Sequence, residues 1–131
     1  ISACLVGSEM CIRDRTNPLE ARLGWTVKFD KGDFIGRDAL LKVKEQGPKR
    51  KLIGVEMVER GVSRNGYAIY DNDRQIGALT SGAPSPTLNK NIGMGYVDAQ
   101  HAVVGNIVQI DIRGKRTAAR IVALPFYKRQ K

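Results

Sequence analysis

Few side chains in this sequence have the types and spacing that enzymatic chemistry demands. One histidine, His101, and two cysteines, Cys4 and Cys11, are too few for most metal centres, so no zinc site or other metal site is expected. His101 closes an Asp98-Ala99-Gln100-His101 turn and reads as a solvated loop residue rather than a general base. Ser81 and Ser85 lie in a Ser/Pro/Gly cluster over 80–87, with no His or Asp in a partner pattern for a nucleophile. That cluster reads as a structured connection between strands. Glu56, Glu59, Asp98 and Asp111 are candidate acids or bases, but no spacing pairs two of them, and they read as solvated surface groups. Gly93-Met94-Gly95 is a lone G-x-G followed by Tyr96-Val97 instead of a helix, which leaves close strand packing as its meaning. No catalytic residue is therefore expected within this chain.

Binding chemistry is better supplied. Basic residues cluster at Lys49-Arg50-Lys51, at Arg113, Lys115 and Arg116, and at Lys128, Arg129 and Lys131. Over the whole chain, 22 Lys and Arg against 13 Asp and Glu leave a net charge of +9, which calls for an anionic partner. Nucleic acid, an acidic protein surface and a polyanionic small molecule all meet that requirement. A nucleic-acid-binding barrel would also need stacking aromatics, for which Tyr67, Tyr70 and Tyr96 are the available rings. Trp25 is the only tryptophan; at its Gly-Trp junction a flat ring either walls a pocket or plugs a core.

The elements that must position these groups change character along the chain. Asn17 reads as an N-cap, with Pro18 at the first helical position and Glu20 returning to the cap. The segment 25–29 alternates like a short strand. A helix is expected over 36–46, with Ala39, Leu40 and Val43 on one face and Arg37, Lys42 and Lys44 outside, ended by Gly47-Pro48. After Lys49 everything reads as strands. Ile53, Val55 and Met57 share a face, 71–74 is a hairpin loop, and Gly114-Lys115 suits a two-residue turn. Six or so short strands with turns about every ten residues predict a mainly β fold, a small barrel or sandwich.

A chain of 131 residues has room for one ordinary domain, and no apolar run approaches the roughly 20 residues of a membrane span. The first fifteen residues, ISACLVGSEMCIRDR, stand apart. They hold both cysteines and lack the pattern of a signal peptide, and they resemble translated sequencing-adapter DNA. Residues 1–15 are thus expected to be an artefact without a fold of their own. Discounting them removes Arg13 and Arg15 together with Glu9 and Asp14, so the net charge is unchanged.

Four separated blocks then add up to a family. They are Asn-Pro-Leu-Glu-Ala-Arg-Leu-Gly-Trp-Thr-Val-Lys at 17–28, and Lys31-Gly32-Asp33-Phe34-Ile35-Gly36-Arg37. The others are Thr80-Ser81-Gly82 through Ser85-Pro86-Thr87-Leu88 with Lys90-Asn91-Ile92, and Leu124-Pro125-Phe126-Tyr127-Lys128-Arg129. In this order and spacing they resemble the C-terminal third of the aminomethyltransferases (T-proteins) of the glycine cleavage system, over residues 16–129. Looser versions of the blocks occur in folate-dependent tails of sarcosine and dimethylglycine dehydrogenases, the alternative reading within this fold.

The resemblance implies transfer of an aminomethyl group from the lipoyl arm of the H-protein to tetrahydrofolate, releasing ammonia and giving 5,10-methylenetetrahydrofolate. It implies three domains around a folate channel, with the catalytic carboxylate and the residues that hold the pterin ahead of residue 16. The chain is then a mainly β C-terminal fragment: 16–48 the tail of the middle region with the connecting helix, 49–131 a small six-stranded Greek-key-like barrel. Trp25 matches the family Trp that lines the channel. Tyr127 and Arg129 match the terminal stretch that returns toward the folate tail. Arg64 matches a recurrent family arginine for which a structural role is an equal reading. Tetrahydrofolate is the expected cofactor and the lipoyl-carrying H-protein the expected partner, with neither nucleic acid nor membrane. The expected location is the bacterial cytoplasm, or the mitochondrial matrix of a eukaryote.

Overall fold

The structure is a computed structural model that describes residues 16–130; the expectation for residues 1–15 lies outside the described residues. The chain divides between Lys49 and Arg50 into two compact units.

In the first unit, the Asn17 side-chain carbonyl accepts hydrogen bonds from the backbone N–H groups of Leu19 and Glu20, both at 3.0 Å. This is the capping arrangement that the sequence suggests. It opens a turn that stops at Arg22, whose φ is 61°, instead of propagating a helix. The strand expected over 25–29 is absent. A 3-10 turn at Gly24–Thr26 and another at Phe29–Lys31 occupy this stretch. A strand must find a neighbour for its backbone groups, and here those groups close locally. Thr26 N–H donates to Leu23 O at 2.9 Å and Val27 N–H to Gly24 O at 3.1 Å. The helix α1 runs Arg37–Gln46 between two positive-φ glycines, Gly36 (86°) and Gly47 (79°). Arg37 is not simply outside: its Nε and Nη2 donate to Phe29 O at 3.2 and 3.1 Å, tying the helix start back to the preceding turn. Lys44 Nζ lies 4.9 Å from the centroid of the Phe29 ring, and Phe34 tilts against the same ring.

The second unit is a closed six-stranded barrel. Its strands are β1 (Arg50–Met57), β2 (Ala68–Asp71), β3 (Arg74–Ser85), β4 (Lys90–Asp98), β5 (Ile107–Ile112) and β6 (Lys115–Val122). They neighbour one another in the order β1-β4-β3-β2-β5-β6, closing β6 on β1, with every pair antiparallel. β2, β3 and β4 are consecutive neighbours and β1 lies beside β4, which is Greek-key connectivity. Alternation sets the core. Ile53, Val55 and Met57 of β1, Ile69, Ile76, Leu79, Val97, Val108, Ile110, Ala119 and Ile121 all point inward and are buried.

Two details depart from the sequence reading. The cluster over 81–85 is not a connection; it is the second half of β3, paired from Ser81↔Met94 to Ser85↔Lys90. β2 pairs with β3 only as far as Ala78, so this half of β3 has one strand neighbour, and Pro84 sits where a missing N–H is tolerated. The β5–β6 turn is Arg113-Gly114, one residue earlier than expected, with Ile112 opposite Lys115. Both turn residues have positive φ, 52° and 84°, the conformation that matches the twist of a two-residue hairpin. Asp111 Oδ1 accepts the Gly114 N–H at 2.8 Å and holds it there.

Candidate functional site

Trp25 is carried on the Gly24–Thr26 turn, which the Thr26 hydroxyl fixes by donating to Leu23 O at 2.6 Å. The residue is 73% exposed, so it plugs no core and its ring is available to a flat partner.

Tyr127 and Arg129 belong to the barrel unit and are both exposed on the segment that follows β6. Two side chains ahead of them fasten that segment. A Cβ built on Gly54, in the middle of β1, would lie 2.8 Å from Leu124 Cδ2 and 2.9 Å from the Phe126 ring. Leu124 and Phe126 therefore rest directly on the outer backbone of β1. An aromatic hydroxyl and a guanidinium two residues apart suit a ligand with a carboxylate tail, as the exposed indole of Trp25 suits a ring system. The structure brings Tyr127 and Arg129 together on one segment, while Trp25 lies in the other unit.

Arg64 lies on the connection between β1 and β2, and that connection is clamped. Ser63 is fully buried and its hydroxyl donates to Ile92 O at 3.1 Å. Asn91 Nδ2 donates to Gly61 O at 2.8 Å. Room for the approach comes from glycines: a Cβ on Gly82 would stand 2.2 Å from Ser63 O, and one on Gly93 would stand 2.8 Å from Ser63 Oγ. Arg60 and Arg64 are exposed on either side of this anchor. Neither Ser63 nor Asn91 stands out in the sequence as an anchor, although Asn91 lies in one of the matching blocks. Their meaning lies in contacts across about 30 residues of chain, and only the glycines on β3 and β4 hint at a close neighbour.

Three of the four candidate carboxylates hold the fold together. Glu56 pairs with Lys90 at 2.7 Å, Glu59 Oε2 accepts the Ala118 N–H at 3.2 Å, and Asp111 caps its hairpin. His101 is not a solvated loop residue. It ends a 3-10 turn with its side chain 23% exposed, its Nε2 3.6 Å from Asp71 Oδ2, and its Nδ1 buried without a hydrogen-bond partner. Two tyrosines offered for base stacking are already covered: the Arg116 guanidinium lies 4.3 Å over Tyr70 and Arg50 lies 5.0 Å over Tyr96. Arg116 is spent further on Asn72 O and Asp73 Oδ1, at 2.8 and 2.7 Å. The lone G-x-G is a packing feature, because a Cβ on Gly95 would meet Ala78 O at 2.5 Å. Among the described residues, no group of three His, Cys, Asp or Glu is placed to hold a metal, and no helix is long and apolar enough to cross a membrane.

Known proteins agree on what this arrangement is. The family model for the glycine cleavage T-protein C-terminal barrel domain matches residues 50–128. An aminomethyltransferase of Symbiobacterium thermophilum is 53% identical over 118 residues, covering 89% of this chain and 32% of that protein. One from Halothermothrix orenii is 52% identical over 94% of this chain and 34% of its own length. The crystal structure of glycine cleavage system aminomethyltransferase T from Bartonella henselae superposes with a TM-score of 0.80 at 34% identity, covering 86% of this chain and 32% of that one. The chain thus spans about a third of the length of the curated relatives it matches. Sequence, barrel topology and relatives converge, and the chain belongs to the glycine cleavage T-protein C-terminal barrel family.

Proposed function

We propose that this chain serves as the C-terminal third of a tetrahydrofolate-dependent aminomethyltransferase. In that role Trp25 is read as the residue for the ring system of the folate, and Tyr127 and Arg129 as residues for its carboxylate tail. The observation that carries the reading is the run of aminomethyltransferase relatives near 50% identity along almost the whole chain. The exposed indole and the exposed Tyr127–Arg129 pair have the chemistry that such a ligand requires. The net charge of +9 supports an anionic ligand and an acidic partner surface, which for this reaction is the lipoyl-carrying H-protein. The Arg116 and Arg50 contacts over Tyr70 and Tyr96 weigh against a base-stacking surface. Transfer itself, with release of ammonia and formation of 5,10-methylenetetrahydrofolate, belongs to the longer protein, in the bacterial cytoplasm or a mitochondrial matrix.

The reading is tested by grafting residues 16–131 in place of the matching third of the Symbiobacterium thermophilum enzyme. Ammonia release from aminomethylated lipoyl protein should then proceed within about tenfold of the parent. A folded chimera that neither binds tetrahydrofolate nor turns over would overturn it.

A further inference from the structure

We infer that Gly54 is a positioning residue, the floor of a notch that seats the C-terminal segment and so fixes where Tyr127 and Arg129 stand. The inference rests on the folate reading proposed above, and it concerns a residue that touches neither ligand nor reacting atom.

Gly54 lies mid-strand in β1 with neighbours on both sides, opposite Met94 of β4 and Val122 of β6. Its φ is not in the left-handed region, so the backbone there accepts any residue. A glycine at a central strand position forgoes side-chain packing and marks either a bulge or a close approach. The β1–β4 register runs through it without a shift, which leaves close approach. The kind of neighbour then separates Gly54 from Gly77, Gly82 and Gly95. Cβ atoms on Gly77 and Gly95 would strike the backbone of Tyr96 and of Ala78, and one on Gly82 the backbone of Ser63. Those glycines serve barrel closure and the clamped loop. At Gly54 the three nearest atoms are side-chain ends of Leu124 and Phe126.

That difference also predicts which part yields. A methyl group at Gly54 pushes on the ends of two side chains, not on a strand, so the barrel persists and the segment lifts. Tyr127 follows Phe126 directly, and Arg129 lies two residues further on, so a displaced Phe126 carries both with it. A misplacement near 1 Å is enough to cost a bound ligand its alignment.

The test uses Gly54→Ala and Gly54→Val. Backbone relaxation of the 131-residue chain should show order lost over 124–130 while the core strands keep their amide protection. In the chimeric enzyme, KM for tetrahydrofolate should rise about three- to tenfold, more for Val than for Ala, with kcat little changed. Leu124→Ala with Phe126→Ala removes the same seat from the other side and should reproduce the effect, which keeps the test decisive if Gly54→Val fails to fold. Unchanged order over 124–130 in both sets of variants would overturn the inference. So would a loosened segment with unchanged KM, where Tyr127→Ala and Arg129→Ala each raise it. If the segment loosens and none of these variants moves KM, the folate reading of the segment fails while the notch stands.

Discussion

Trp25 separates a binding role from a folding role more sharply than any other side chain here. A buried indole replaced by alanine costs several kcal/mol of stability, but one that is 73% exposed has little burial to lose. In the chimeric enzyme Trp25→Ala should leave the melting temperature nearly unchanged. It should weaken tetrahydrofolate binding by about 0.5–1.5 kcal/mol or somewhat more, the range of an aromatic contact beyond its area. A large fall in melting temperature with an unchanged calorimetric titration would show that the ring packs and does not bind. Ser63 is the opposite case, since its side chain is wholly inside and its hydroxyl serves Ile92 O. Ser63→Ala should therefore destabilise the barrel by about 0.5–1.5 kcal/mol, the net worth of the hydrogen bond it removes. Thermal unfolding of the purified chain checks this, and a change within error would mean that the loop is held by Asn91 alone. His101 carries the same lesson about reading single residues. Its sequence neighbours suggest solvent, while its environment is set by Asp71, thirty residues earlier.

At the scale of elements, glycines decide which segments can touch. Gly82→Ala places a methyl group 2.2 Å from a backbone oxygen of the clamped loop; the strand cannot step aside without opening the β3–β4 pair, nor the loop without leaving its clamp. We expect a loss of about 1–3 kcal/mol or more, larger than for Gly54→Ala, where only side-chain ends must move. Denaturant unfolding of the two variants side by side reads the difference, and equal losses would contradict the contrast between backbone and side-chain neighbours. The same local logic explains how far the fold was legible in advance. Alternation at Ile53, Val55 and Met57 is a local signal and identifies β1 and its buried face correctly, as the Gly47-Pro48 stop identifies the end of α1. Alternation at 25–29 is equally good but misleads, because a strand exists only with a partner and the barrel closes with six. The second half of β3 was missed for the converse reason. Its Ser/Pro/Gly composition argues for a loop, and only pairing with β4 makes it a strand. The hairpin at Arg113-Gly114 slipped by one residue because either placement of the glycine suits a two-residue turn. The Asp111 side chain and the Ile112↔Lys115 register settle it. Of the proposed site, the individual residues were readable from the matching blocks, whereas the seat under Leu124 and Phe126 needed the fold.

Across the whole molecule, the division of labour between core and surface bears on what this chain can do alone. The barrel core draws on all six strands and the sheet closes on itself, so the second unit has what an independent fold needs. Its carboxylates are largely committed: Glu56 to Lys90, Glu59 and Asp111 to backbone N–H groups, Asp73 to Arg116. A group engaged in this way is poorly placed to move a proton for a substrate, because catalysis needs an acid or base within reach of the reacting atom and at liberty to exchange. Rate enhancement in group transfer also comes chiefly from orienting both reactants and from charge stabilisation in a site closed on all sides. Residues 16–131 made as a separate chain should accordingly unfold cooperatively and bind tetrahydrofolate far more weakly than a full-length relative. They should release no ammonia from aminomethylated lipoyl protein above the uncatalysed rate. Circular dichroism melting, calorimetric titration and the ammonia assay on one preparation check the three parts together. Turnover at the rate of an intact enzyme would place the chemistry inside this barrel, and the acid or base would then have to be found among Asp98, Glu56 and the half-buried His101 with its unpartnered Nδ1.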